Sequence, residues 1–129
     1  MALNEGDHID LQVTPDRYVT VRYAGASGDF NPIHIDEAFA VGVGLPGRIL
    51  HGLWSMAQIA RAATEAGGGE PTALRGLSVQ FRGMGRMEQE IVVSGAVKSV
   101  ADGIATAKLE AVQGDTRLIR NAVAELRAR

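Results

Sequence analysis

Apolar residues recur along this chain at two different spacings, and the change from one to the other divides it. Near the start Ile9, Leu11 and Val13 alternate with polar neighbours, as one half-buried face of a short strand does, and Thr14-Pro15-Asp16 stops the run with turn or helix-start chemistry. The next stretch fits both periods. Val19, Val21 and Tyr23 keep a spacing of two, while Tyr18, Val21 and Tyr23-Ala24 make a helical face. Asp36 is well placed to cap a short helix through Ala38, Phe39 and Ala40 that Gly42 and Gly44 end, and a loop containing Pro46 follows to Arg48. From Gly52 to Ala66 the spacing is helical: Leu53, Met56, Ala57, Ala60, Ala63 and Ala66 recur every three or four residues until Gly67-Gly68-Gly69.

Strand spacing dominates the second half. Leu77, Val79 and Phe81 alternate in one segment and Ile91, Val93, Ala96, Val97 and Val100 mark a second. A third runs from about Ile104 to Val112 and a fourth from about Thr116 to Leu126, separated by Ala101-Asp102-Gly103 and Gln113-Gly114-Asp115, both short hairpin turns. Consecutive hairpins predict an antiparallel meander. One early strand, a helical middle and a late meander predict an α+β domain with the long helix packed on one sheet face.

Composition narrows the classes. At 129 residues the chain is read as one domain, residues 1–129, with no linker, internal repeat or low-complexity tract beyond the three glycines. Hydrophobic residues at 46% and charged residues at 22% argue against disorder. A net charge of −2 with mixed signs gives no basic field, so nucleic acid is not an expected partner. The absence of cysteine removes disulfides, thiolate metal sites and cysteine nucleophiles. No leader opens the chain and no apolar run approaches the roughly 20 residues of a membrane span, so a cytoplasmic protein without membrane contact is expected.

The candidate chemistry lies between the two helical regions. In Tyr23-Ala24-Gly25-Ala26-Ser27-Gly28-Asp29-Phe30-Asn31-Pro32-Ile33-His34-Ile35-Asp36 a carboxylate and an imidazole stand five residues apart across a turn of Gly, Asn and Pro. Asp29 and His34 can converge there on one water, the smallest form of general acid–base chemistry. Taken singly, Asp29 also reads as a turn cap, His34 as a structural histidine and Asn31 as a turn former before Pro32. Tyr23 and Trp54 read as core or pocket lining. No phosphate-binding glycine loop, nucleophile elbow or metal-ligand spacing is present, and His8, His34 and His51 are too dispersed in sequence to argue for a metal.

Gly28-Asp29-x-Asn31-Pro32-x-His34-x-Asp36, with Ile49-Leu50-His51-Gly52 beyond it, resembles the signature of the MaoC-like dehydratases, or (R)-specific enoyl-CoA hydratases (hydratase 2), and the resemblance extends through the later strands. It implies a hot dog fold, an antiparallel sheet wrapped around a long central helix. The alanines of the long helix suit that close approach. It also favours a helix ending near Gly28 over a strand. By the resemblance Asp29 and His34 are catalytic, with Asp29 the principal base and His34 returning the proton, and the backbone N–H of Gly52 is an oxyanion donor. The physical need for that donor is plain: adding hydroxide to an enoyl thioester puts negative charge on its carbonyl oxygen, and a helix N-terminus offers free N–H groups. Asn31 is expected to position the turn beside the substrate, and His51 to have a structural part at the helix start, next to the bound thioester. Arg75, Arg82 and Arg86, around the first strand of the meander, are candidates to meet coenzyme A phosphates or an acidic carrier. The segment Phe81-Arg82-Gly83-Met84-Gly85-Arg86 departs from the family, which usually has a proline and an apolar residue there, so the shape of the substrate tunnel is open.

The implied reaction is reversible syn hydration of a trans-2-enoyl thioester to the (R)-3-hydroxyacyl thioester. It needs no metal or other cofactor, since coenzyme A or phosphopantetheine arrives as part of an acyl-CoA or acyl-carrier-protein substrate. The alternatives are a (3R)-hydroxyacyl-carrier-protein dehydratase of fatty acid synthesis and, from another class, a non-catalytic acyl-binding subunit. A hot dog thioesterase fits the Asp29–His34 spacing less well. An exposed sheet edge predicts a homodimer, with a heterodimer of related subunits as the variant known in the family. Acyl structure, carrier and pathway are not legible.

Overall fold

A computed structural model describes residues 2–128. Strand β1 (His8–Val13) is followed by helices α1 (Val19–Ser27), α2 (Pro32–Ile35), α3 (Glu37–Gly42) and α4 (Gly52–Ala66), then strands β2 (Leu74–Phe81), β3 (Ile91–Ala101), β4 (Ile104–Gln113) and β5 (Thr116–Arg127). The strands form one antiparallel sheet in the order β1-β3-β4-β5-β2. Helix α4 packs against all five strands, which is the expected hot dog arrangement. No helix among the described residues is long and apolar enough to cross a membrane.

Local chemistry sets the element ends. The Asp16 carboxylate accepts the N–H of Tyr18 at 2.8 Å and pairs with the Arg22 guanidinium, which holds that carboxyl below its ordinary range. Asp16 thus starts α1 from three positions before its first residue, and Gly28, at φ 79°, ends it. Asp36 accepts the Phe39 N–H at 3.0 Å and caps α3, as expected. The β3–β4 hairpin turns on Asp102 and Gly103, both at positive φ (54° and 76°), the conformation whose twist matches flanking strands.

Three expectations need correction. The four late strands are not one meander: only β3, β4 and β5 are joined by hairpins, while β2 lies beyond β5 at the sheet edge and residues 82–90 carry the chain back across. The buried face of α4 is rotated from the one the spacing suggested, since Ser55, Gln58, Ile59, Ala62 and Ala63 are buried whereas Leu53 is 61% exposed. Alanine occurs on every side of this helix, so several stripes fit the spacing, and Ile59, fully buried and worth about 1.5–3 kcal/mol on burial, decides which one faces the sheet. In α1, Val19, Thr20 and Ala24 are buried while Tyr18 and Val21 face outward, because Val19 and Thr20 each stand a helical turn before Tyr23 and Ala24.

The core fills the space between α4 and the sheet with Ile91, Val93, Val97, Leu109, Leu118, Ile119 and Leu126, together with alanines of β4 and β5. Alternation breaks at the end of β2. Gln80 pairs with Arg120, next to Asn121 at φ 51°; the Gln80 amide oxygen accepts from Asn121 Nδ2 and Arg120 Nε, and the register shifts between Ser78 and Gln80. Phe81 is thereby turned out to the start of α4, where it is half exposed.

Candidate active site

Asp29, His34 and His51 meet where the α1–α3 segment crosses the N-terminus of α4, which Gly52 opens as the residue after His51. The turn after α1 is built from its own side chains. Ser27 Oγ accepts the Asp29 N–H at 3.1 Å, Asp29 Oδ1 accepts the Asn31 N–H at 3.2 Å, and Asn31 Oδ1 accepts the Ile33 N–H at 3.2 Å, capping α2. The carboxylate therefore stabilises its own turn and is also aimed. Its second oxygen, Oδ2, stands 3.9 Å from His34 Nε2, with the Asp29 side chain half exposed and that of His34 only 9% exposed.

That separation is too long for a direct hydrogen bond and short enough for one water to touch both atoms. His34 Nδ1 donates to the carbonyl of Ile49 at 2.8 Å, so Nε2 is the nitrogen left to exchange a proton at the open side. Ile49 in turn donates its N–H to Ile33 O at 3.1 Å, fixing α2 against the strand-like approach to α4.

His51 is 2% exposed and precedes the first residue of α4. Its ring stacks on that of His34 with centroids 3.8 Å apart and planes 21° apart, and Tyr23 tilts against it at 4.6 Å. Its Nε2 donates to the backbone carbonyl of Asp29 at 3.0 Å. His34 and His51, distant in sequence, are thus brought face to face. The ligand atoms of Asp29, His34 and His51 lie within 4.8 Å of one another. Stacked imidazoles send their in-plane lone pairs side by side rather than toward one ion, and two of the four nitrogens already face carbonyls, so the set suits proton transfer better than metal ligation.

Gly52 opens α4 with an N–H that has no acceptor among the described residues. A Cβ there would lie 3.2 Å from the half-exposed Phe81 ring, a tight contact that the ring can relieve by shifting, so what glycine chiefly provides is access to the N–H. The exposed flank beside it carries Leu53 and Phe81. Tyr23 and Trp54 share a cleft of about 510 Å³ with Val13, Val19 and Gln58, on the α1 side of α4.

The arginines do not converge. Arg75 and Arg82 are exposed on β2 and just after it; Arg82 donates its N–H to Leu118 O, and its side chain makes no hydrogen bond or ion pair among the described residues. Arg86 is half-buried, its guanidinium beside Gly47 and its Nε without an acceptor. Its backbone is clamped by Gln113, a residue the sequence reading passed over. Gln113 Oε1 accepts the Arg86 N–H at 2.7 Å, and its Nε2 donates to Arg86 O at 2.7 Å and Gln89 O at 2.9 Å. Gly85 O then accepts the Leu50 N–H at 2.8 Å, one residue from the carbonyl that orients His34. Of the two glycines in the aberrant 81–86 segment, Gly85 serves this contact, since a Cβ there would fall 2.7 Å from Leu50 Cδ1, whereas Gly83 lets the chain pass close to β5, where a Cβ would fall 2.6 Å from Arg117 O.

Residues 5–117 match the family described as MaoC like domain. The chain belongs to the MaoC-like dehydratase family. Over 64 residues, 48% of its length, it is 45% identical to a fatty acid synthase subunit beta of Aspergillus oryzae, of which the match covers 3%. It is 41% identical over 56 residues, 43% of its length, to a peroxisomal enoyl-CoA hydratase 2 of Arabidopsis thaliana, of which 18% is covered. The chain thus spans only a small part of these curated relatives. The solved structure of the (R)-hydratase from A. caviae involved in PHA biosynthesis superposes with a TM-score of 0.86 at 21% identity, covering 96% of each chain, which establishes the hot dog fold of this MaoC-like domain.

Proposed function

We propose that this MaoC-like domain is a hydro-lyase that adds water reversibly to trans-2-enoyl thioesters and gives the (R)-3-hydroxyacyl product. The observation that carries the reading is the 3.9 Å separation of Asp29 Oδ2 and His34 Nε2, each group oriented by a separate bond to backbone. A water between them gives one proton to Asp29 as its oxygen bonds to carbon 3. His34 enters the step doubly protonated, with Nδ1–H on Ile49 O, and delivers its Nε2 proton to carbon 2; the proton on Asp29 then passes to Nε2 through the next water that enters between them, which closes the cycle. The Gly52 N–H takes the charge that develops on the thioester oxygen, a contribution on the order of 10²–10³ in rate for one such donor. No other cofactor enters, and coenzyme A or phosphopantetheine is the handle of the substrate.

A second reading, dehydration of (3R)-hydroxyacyl-carrier-protein, draws on the likeness to fatty acid synthase beta subunits. The chemistry is the same and the carrier differs, so parallel assays with crotonyl-CoA and the crotonyl carrier protein separate the two. Chiral analysis of the crotonyl-CoA product tests the main reading. The (R) alcohol is expected, with Asp29→Asn and His34→Ala each lowering turnover by on the order of 10²–10⁴ and the double variant falling by much less than the product of the two. An (S) or racemic product, or single variants of near-full activity, would refute a shared water. No hydration of any thioester would favour the non-catalytic subunit.

A further inference from the structure

We infer that His51 is a positioning residue of the acid–base pair, registering Asp29 and His34 against each other, rather than a passive start to α4; the inference rests on the pair reading above. Its two ring nitrogens are treated unequally. Nε2 faces the carbonyl of Asp29 at 3.0 Å and must carry the proton, because a carbonyl only accepts. Nδ1 is then bare, and it is buried with no partner among the described residues. A buried polar atom left unpaired costs stability, so a residue kept only for packing between Tyr23 and His34 would serve better as phenylalanine. What the imidazole adds over a plain ring is the Nε2–H, and that donor is spent on the backbone of the proposed base, 22 residues away.

The other half of the device is the stack. With ring centroids 3.8 Å apart and planes 21° apart, His51 covers one face of His34, while Ile49 O fixes rotation of the same ring in its plane. Asp29 is otherwise held only by its own exposed turn, whose bonds are all local. His51 is the side chain that touches both groups, and it is anchored by the first turn of α4, where Trp54 and Ser55 donate to its carbonyl. Loss of the Nε2–H frees the Asp29 backbone to drift from His34, and misplacement of reacting groups by about 1 Å can cost on the order of 10² in rate.

Two variants separate the parts. His51→Phe keeps a flat ring for the stack and removes the donor; His51→Gln keeps an N–H near the place of Nε2 and removes the ring. On crotonyl-CoA, with the wild type active, His51→Phe is expected to lower kcat by about 10- to 100-fold with KM changed less than threefold, and His51→Gln to recover at least threefold of that loss. Thermal unfolding of His51→Phe is expected close to the wild-type midpoint, because removal of the unpaired Nδ1 offsets the loss of the Nε2–H bond to Asp29 O. Wild-type-like kcat in His51→Phe, or a His51→Gln variant no better than it, overturns the proposal. Should His51→Phe fail to fold, the ¹⁵N shifts of the wild-type imidazoles decide: the Nε2–H tautomer of His51 is expected, and the Nδ1–H tautomer overturns it. An inactive wild type would count against the pair reading itself and leave this NMR test standing.

Discussion

Replacing Gln113 by leucine should weaken both the fold and the site, although Gln113 lies in a strand remote from Asp29. The side chain is 3% exposed and makes three hydrogen bonds of 2.7–2.9 Å to the backbone of Arg86 and Gln89. Leucine of similar size leaves one N–H and two carbonyls of that segment to find water or go unpaired. At about 1 kcal/mol net for each bond the loss is about 3 kcal/mol, more if the groups stay dry. For a chain of this length, with an unfolding entropy of about 2.1 cal/mol/K per residue, that corresponds to a fall in Tm of about 10 °C. Gln113→Glu sharpens the test, because it keeps an acceptor for the Arg86 N–H but turns a carboxylate toward two carbonyl oxygens, and should be at least as destabilising at neutral pH. Differential scanning calorimetry measures both variants, and kcat on crotonyl-CoA at a temperature where each is folded measures the site. A several-fold loss of kcat is expected, since the clamp reaches His34 through Gly85, Leu50 and Ile49. If Gln113→Leu melts within 2 °C of the wild type, the 82–90 connection is held by the packing of Gly85 and Met87 instead, and the clamp is incidental.

Gly52→Ala should lower kcat about tenfold or more while changing Tm little, because the new methyl meets only the half-exposed Phe81 ring, which can swing outward, but stands beside the free N–H. Unchanged kcat in that variant would remove the Gly52 N–H from the mechanism. Sedimentation should show a dimer or a multiple of one, given β2 at the sheet edge and the exposed Leu53 and Phe81 beside it; a fully active monomer would contradict this.

What could be read from the residues was what local chemistry determines. The Asp36 cap, the Gly28 stop, both hairpins and the limits of α4 depend on neighbours within four residues, and each stands where the spacing placed it. The closeness of Asp29 and His34 was legible because a short turn and the Asn31-capped start of α2 separate them by only five residues. What escaped was set by contacts long in sequence: the pairing of β2 with β5, the rotation of an alanine-rich helix, the stacking of His34 on His51, and the Gln113 clamp. A buried glutamine at the end of a strand looks like a hairpin residue, and only its three backbone partners reveal its use. The glycines of residues 83–85 had a signal, their departure from the family pattern, but its meaning lay far away in the chain, in Leu50 for Gly85 and in Thr116 and Arg117 for Gly83.

The same distinction bears on how the site behaves in time. The sheet and α4 enclose large side chains such as Ile91, Leu118, Ile119 and Leu126, whereas residues 19–45 bury chiefly Val19, Thr20, Ala24, His34 and Ala40. Apolar burial scales with area, so this segment is held less by hydrophobic contact and more by polar latches: Ile49 N–H to Ile33 O, His34 Nδ1 to Ile49 O, His51 Nε2 to Asp29 O and Arg48 N–H to Glu37 Oε1. Each is worth about 1 kcal/mol net. The α1–α3 segment should therefore open as a unit at a lower free energy than the sheet. Native-state hydrogen exchange tests this. The amides of Gly28, His34, Ala40 and Ile49 should exchange at least tenfold faster than those of Ala107 and Leu109 in β4, and a bound thioester should slow the first group selectively, since Asp29 and His34 lie on the segment that opens. Uniform protection across both groups would mean that the segment and the sheet unfold together, and that the latches are backed by packing not apparent in the buried residues of α1 to α3.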